Sequence, residues 1–258
     1  MISNSSTYKF GLILFLILCL KTVWAQADFN SVNITDRDGL PQNKIKSIVK
    51  DSLGYVWIGT QNGIAQYNGY RFKTYAALNG IEITSIFLSD QNDIWVGTHQ
   101  GLFLLDRTHD VFDKVSLGDI RHLTASGDEI YFITPDKMYN FRNGKVSAIE
   151  LDEESYLRQV VLQNNKLYLG QGKNHGLVKG EIIKGRLVIK QHLLDSKVIT
   201  CLKTINDQVW AGTSDGQLYH LTADTAMPVV LQNNHPVKDI VLHNNQLWVG
   251  TDGNGVFI

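Results

Sequence analysis

Two cysteines and four prolines are all that 258 residues contain. So few cysteines rule out a disulfide framework as the main source of stability. Scarce proline beside 22 glycines and 10% aromatic residues suits a β protein with many tight turns. Neither sign of charge dominates: 24 basic residues face 25 acidic ones, leaving a formal net charge of −1. No basic field is therefore present to hold nucleic acid nonspecifically. Long apolar runs are also lacking, with one exception at the N-terminus.

That exception is Phe10–Leu20, "FGLILFLILCL", preceded by Lys9 and followed by Lys21. It is far shorter than the roughly 20 residues a membrane-spanning helix needs. "VWAQA" follows, in which Ala25 and Ala27 form an A-x-A pattern. Residues 1–27 thus read as a secretory signal peptide cut after Ala27 or Ala25, with an anchoring N-terminal helix as the alternative. A lipoprotein reading through Cys19 is disfavoured by the bulky Leu18 before it. Cleavage would leave Cys201 alone, so the exported domain must be stable through its core.

What the chain has in abundance is a repeated phrase. "YVWIGTQNGIAQYNG" begins at Tyr55, "DIWVGTHQGLFLLD" at Asp93, "QVWAGTSDGQLYHL" at Gln208 and "QLWVGTDGNGVFI" at Gln246. Anchoring each unit on its aromatic gives Trp57, Trp95, Tyr131, Tyr168, Trp210 and Trp248, spaced by 38, 36, 37, 42 and 38 residues. Two residues beyond the anchor stands a glycine, at Gly59, Gly97, Gly170, Gly212 and Gly250; Ile133 breaks the rule. Thr60, Thr98, Thr134, Thr213 and Thr251 come next, with Gln171 the exception.

Each unit reads as four short strands alternating apolar and polar residues. In the first these are 44–51, 55–60, 64–68 and 71–76, joined by "SLG", "QNG" and "NGY" turns. Four antiparallel strands every 36 to 42 residues predict an all-β fold, a β-propeller of six visible blades, possible members of a seven-bladed ring. The units run roughly 38–76, 77–115, 116–150, 151–194, 195–231 and 232–258 within a propeller spanning 28–258. A large aromatic on the second strand supplies burial between neighbouring blades, and the glycine leaves room for a neighbour's approach. By that logic the third unit, lacking its glycine, should be the least regular. The β-like piece 28–34 is expected either to complete the sixth blade as a closing strand or to precede a ring that continues into a seventh. The apolar strand at Ile258 favours a fragment.

"DGLPQNKIKSIVKDSLGYVWIGTQNGIAQYNGYRFKTY" (38–75) resembles the two-component regulator propeller repeat of periplasmic sensors in Bacteroidetes-type bacteria. The likeness is sharp in units one, two, five and six and weak in three and four. It implies the extracytoplasmic, ligand-sensing region of a hybrid two-component sensor, periplasmic and paired as a homodimer. It also implies an oligosaccharide or other small ligand, and a downstream membrane helix and histidine kinase that this sequence does not contain. The alternatives are a freestanding secreted interaction scaffold and a propeller-fold glycan-processing enzyme.

The residues themselves offer no catalytic set, no cofactor motif and no metal motif. Eight histidines (99, 109, 122, 175, 192, 220, 235 and 243) are scattered without ligand spacing. "GQGKNHG" (170–176) lacks the Lys-Ser/Thr ending of a phosphate loop, and "TDGNG" and "DRDG" lack the oxygen ligands of a calcium loop. Asp152, Glu153 and Glu154 read as a solvated link between blades. Ligand binding is expected at the mouth built from loops between second and third strands and links into first strands. Those loops hold Asn43, Gln61, Asn62, His99, Gln100, Arg121, Arg158, Lys173, His175, Asp215 and Lys238. Amide, imidazole and basic groups of this kind suit sugar hydroxyls or acidic sugars.

Overall fold

In the computed structural model the described residues are 33–151, 156–172, 175–222 and 225–258. The chain divides into two units, 1–34 and 35–258. The predicted signal peptide and residues 28–32 of the predicted closing strand lie outside the described residues.

Residues 35–258 form a β-propeller of six consecutive antiparallel sheets. Blade one comprises β1 (Ile45–Lys50), β2 (Val56–Thr60), β3 (Gly63–Tyr67) and β4 (Phe72–Thr74), and blade two β5 (Ile83–Leu88), β6 (Ile94–Thr98), β7 (Gly101–Asp106) and β8 (Val111–Ser116). Blade three contains β9 (His122–Ser126), β10 (Glu129–Ile133), β11 (Met138–Arg142) and β12 (Lys145–Ile149). Blade four contains β13 (Leu157–Gln163), β14 (Lys166–Gln171), β15 (Leu177–Ile183) and β16 (Arg186–Leu193). Blade five has β17 (Ile199–Ile205), β18 (Gln208–Thr213), β19 (Leu218–Leu221) and β20 (Ala226–Val229). Blade six shows three strands, β21 (Val237–His243), β22 (Gln246–Thr251) and β23 (Val256–Phe257). Helical backbone among the described residues is confined to short 3-10 turns at Asp36–Asp38 and Ala76–Leu78.

Strand order follows chain order in every sheet, so each blade is a meander joined by tight turns. The Asn-Asn, Asn-Asp and Asn-Gly pairs at these turns take positive φ, as at Asn164 and Asn165, Asn206 and Asp207, and Asn244 and Asn245. Asparagine and aspartate tolerate this left-handed region best among residues with a side chain.

The repeated Trp-x-Gly-Thr phrase has a mechanical meaning. Trp57 is fully buried, stacked on Tyr75 at 5.5 Å and edge-on to Phe112 of the next blade at 6.1 Å. Its indole N–H donates to Asp51 Oδ2 at 3.0 Å, while Asp51 Oδ1 accepts from the backbone N–H groups of Leu53 and Tyr55. A buried carboxylate is tolerable because all three donors converge on it.

The glycine is a socket for an aliphatic knob from the next blade. A Cβ built at Gly59 would lie 2.6 Å from Ile83 Cγ2; at Gly170, 2.6 Å from Ile199 Cγ2; at Gly212, 2.5 Å from Val237 Cγ1. At Gly97 it would meet Ile120 and Leu123 at 3.0 Å. These knobs are buried completely or nearly so. Gly250 differs, for nothing closer than Asp239 O at 3.8 Å approaches it.

The threonine clasps the following turn. Thr60 and Thr98 donate to the carbonyls of Gly63 and Gly101, both at 2.9 Å, and accept from the N–H groups of Asn62 and Gln100. Thr213 and Thr251 do the same at the carbonyls of Gln217 and Gly255. A buried hydroxyl placed this way satisfies itself and two backbone groups at once.

Seams between first strands carry further ties. Thr84 donates to Ile120 O at 2.6 Å and Thr200 to Val237 O at 2.7 Å, while Ser47 Oγ accepts from Ile86 N at 3.2 Å. His122 Nδ1 lies 3.0 Å from Val160 O, and burial, with the Lys203 charge adding to it, depresses its pKa to about 4.

Blade three corrects an expectation. It has four continuous strands, and its β9–β10 ladder runs without interruption from Glu129↔Ser126 to Ile133↔His122. In the other five blades the first ladder shifts register opposite the Gly-Thr step. Losing the glycine therefore accompanies loss of a bulge, not loss of order.

Candidate ligand-binding site

Those register shifts position the mouth. The extra residue of each bulge is Lys46, Thr84, Arg158, Thr200 or Lys238. In blade three Arg121 holds the corresponding place after the knob Ile120, its N–H bonded to Ile133 O at 2.8 Å. A bulge re-aims a side chain at a strand end. Here it presents one side chain per blade at the same end of the first strands, and four of the six are cationic.

Four blades share a cleft of about 360 Å³ at this end, lined by Lys46, Glu82, Thr84, His99, Arg121, Pro135, Tyr156, Leu157, Arg158 and Gln159. A chain of charges crosses it. Lys46 pairs with Glu82, whose other oxygen lies 3.7 Å from His99 Nε2. His99 Nδ1 contacts Asp119 Oδ1 at 2.5 Å, and Arg121 Nη2 donates to Asp119 Oδ2 at 2.6 Å. The hydrogen bond from Lys46 holds the Glu82 carboxyl below its ordinary pKa, outweighing burial. Both acids are thus engaged, whereas Arg158 makes no ion pair with a described residue.

Of the candidates read from the sequence, the structure brings His99, Arg121 and Arg158 together in this cleft. Asn43 instead accepts from Asp36 N at 2.7 Å and ties down the turn ahead of β1. Gln61, Asn62 and Gln100 belong to the threonine-clasped turns and do not line the cleft. His175 N donates to Gly172 O in its own loop. Asp215 accepts from Lys197 and Thr213, both at 2.5 Å, and Lys238 pairs with Asp252 at 2.9 Å; neither lines the cleft. Burial pushes the Asp215 pKa up, but the Lys197 and Thr213 hydrogen bonds leave it lowered. Lys173 lies outside the described residues. Sequence reading missed Lys46, Glu82, Thr84 and Tyr156; the first and third are bulge residues, whose direction strict alternation misassigns.

A larger cleft of about 630 Å³ opens between blades three and four at the opposite strand ends. Glu129, Tyr131, Arg142 and Glu181 line it over Leu162, Leu167 and Ile182. There Glu129 is engaged with the Tyr131 hydroxyl and with Arg142. Among the described residues no cluster of three His, Cys, Asp or Glu could hold a metal ion. No described helix is long and apolar enough to cross a membrane.

Residues 39–62 match the family described as "Two component regulator propeller". Over 66 residues the chain is 33% identical to "Histidine kinase P4" of Formosa agariphila, covering 26% of this chain and 5% of that protein. The fold is similar to the extracellular domains of two hybrid two-component systems from B. thetaiotaomicron. One has a TM-score of 0.71 at 23% identity, covering 87% of this chain and 34% of its own. The other has a TM-score of 0.68 at 21% identity, covering 83% and 31%. Virginiamycin B lyase from Staphylococcus aureus is also similar in fold, with a TM-score of 0.70 at 14% identity over 83% of each chain. At such identities the likeness is one of fold, which by itself carries no function.

Proposed function

As a chain that carries the two-component regulator propeller repeat, this protein is, we propose, the exported ligand-sensing propeller region of a two-component sensor. Its ligand docks at the mouth shared by blades one to four. Ligand binding there alters contacts with a second protomer, and a kinase elsewhere in a longer protein reads the change. The observation that carries this reading is the mouth itself. Side chains from four successive blades converge on one cleft, three of the blades presenting theirs from a bulge. A pure scaffold has no need of such convergence. An enzyme would use convergent acids free to act, and the two described acids at this mouth, Glu82 and Asp119, are already paired.

Two features support a larger assembly. The chain spans a twentieth of the curated relative and about a third of each sensor domain above. On blade one the knob-position residues Ile45 and Ile48 are 38% and 59% exposed, and on blade six Val241 is 56% exposed beside the empty socket at Gly250.

The test is calorimetric titration of the chain with a panel of oligosaccharides, with product analysis alongside. A binder that is not turned over, and that is lost with Arg121→Ala and Arg158→Ala together, is the expected result. Turnover that disappears with the same pair of substitutions would reassign the mouth as an active site.

A further inference from the structure

We infer that the ligand group read at this mouth is an oxyanion, a carboxylate or sulfate, carried on a ring that lies against Tyr156. The inference rests on the mouth being a ligand site and names its chemistry.

Charge gives the first part. Lys46, Arg121 and Arg158 are fixed cations of the cleft, against Glu82 and Asp119. Lys44 adds its field close by, since it lowers the Glu82 pKa along with Lys46 and His99. Among the described residues the carboxylates are engaged by Lys46, His99 and Arg121, and the surplus positive charge stands at Arg158. A guanidinium has five N–H donors in a rigid fork that matches carboxylate and sulfate oxygens in bidentate fashion. Arg158 spends none of its fork on a described residue, and Arg121 spends one nitrogen on Asp119.

Shape gives the second part. A Cβ built at Gly172 would come within 2.9 Å of Tyr156 Cδ1 and 3.2 Å of Arg158 Cδ. Both side chains therefore rest on that glycine and lie side by side. Gly172 N also donates to Tyr156 O at 2.8 Å, fixing the backbone at the entry to β13. Tyr156 remains 44% exposed on the cleft wall. A flat, half-exposed aromatic beside a charged fork suits a pyranose ring bearing an acid group: the ring face packs on the tyrosine while the oxyanion meets the arginine. A neutral sugar would use the aromatic and leave the fork solvated.

Matched probes test this. The chain is titrated calorimetrically with a uronic-acid disaccharide and its methyl ester, and with a sulfated disaccharide and its desulfated form. At least one acidic probe should bind tenfold or more tightly than its neutral match, with affinity falling as salt rises. Which acid does so identifies the carboxylate or the sulfate. Arg158→Ala should abolish the acid preference, Arg158→Lys should restore part of it, and Tyr156→Ala should weaken acidic and neutral probes alike. Both residues are exposed, so unchanged thermal midpoints will show that the variants fold. Equal affinity for acidic and neutral partners, still dependent on Tyr156, overturns the oxyanion assignment and leaves the mouth as a ligand site. Binding of any probe that ignores Arg121, Arg158 and Tyr156 together, or no binding at all, overturns both.

Discussion

The seam between blades one and two and the outer side of blade six contain the same words of sequence in different surroundings. At the first, Trp57 is fully buried and Gly59 receives Ile83. At the second, Trp248 is only half-buried and Gly250 receives no knob from a described residue, Asp239 O standing off at 3.8 Å. The lesson is that Trp-x-Gly-Thr encodes half an interface. At Gly59 and Gly212 a neighbouring blade supplies the knob, though Trp210 beside the second is itself only half-buried.

This contrast can be broken by substitution. Trp57→Ala should be the most damaging change, costing about 3–5 kcal/mol by denaturant unfolding, because it opens a large cavity and removes one of the three donors on buried Asp51. Trp248→Ala should cost less than half as much; equal costs would show that the neighbour contributes little. Filling the sockets comes next. Gly59→Val or Gly212→Val should destabilise by roughly 1–3 kcal/mol through collision with Ile83 or Val237, whereas Gly250→Val should change stability by no more than about 0.5 kcal/mol.

A third comparison uses acid. His122 sits in the seam between blades three and four and is held neutral, its pKa lowered to about 4 by burial, with Lys203 opposing protonation and Asp239 favouring it. The unfolded chain takes up that proton below its ordinary value of 6.5, so stability is full above that pH and falls toward pH 4. The loss should reach at most about 2 kcal/mol by pH 5. His109, exposed and raised in pKa by the Asp106 hydrogen bond, carries the opposite sign. His122→Asn should flatten the pH profile of the melting temperature between 6.5 and 5, and His109→Asn should leave it unflattened. At the turn clasps, Thr98→Val should cost about 1–2 kcal/mol and the exposed-side Thr251→Val about half that or less.

The architecture was legible because its signal is redundant. Six aromatics at near-constant spacing, five glycines two residues on and asparagine turns all point one way. The mouth was only partly legible. Alternation along a strand places side chains by parity, and a bulge breaks parity at Lys46 and Thr84, so neither drew notice. Arg121 lies in the link leading to β9, whereas Arg158, which the sequence places in such a link, is the bulge residue of β13. Asn43, Gln61, Asn62 and Gln100 occupy equally suitable loops, but there the backbone turns needing satisfaction claimed them. Ile133 was misleading for a related reason: its blade dispenses with the bulge and keeps its ladder in register.

The knob-and-socket joint is directional, every blade but the third offering an aliphatic plug to one side and a vacancy to the other. Because unlike surfaces meet, any blade's plug can fit any other's vacancy without a new surface having to arise. Duplicating or deleting a stretch of roughly one repeat would therefore lengthen or shorten the series while each remaining joint keeps its form. The variable mouth residues ride along, one per unit, free to diversify in chemistry while the hinge of construction stays constant.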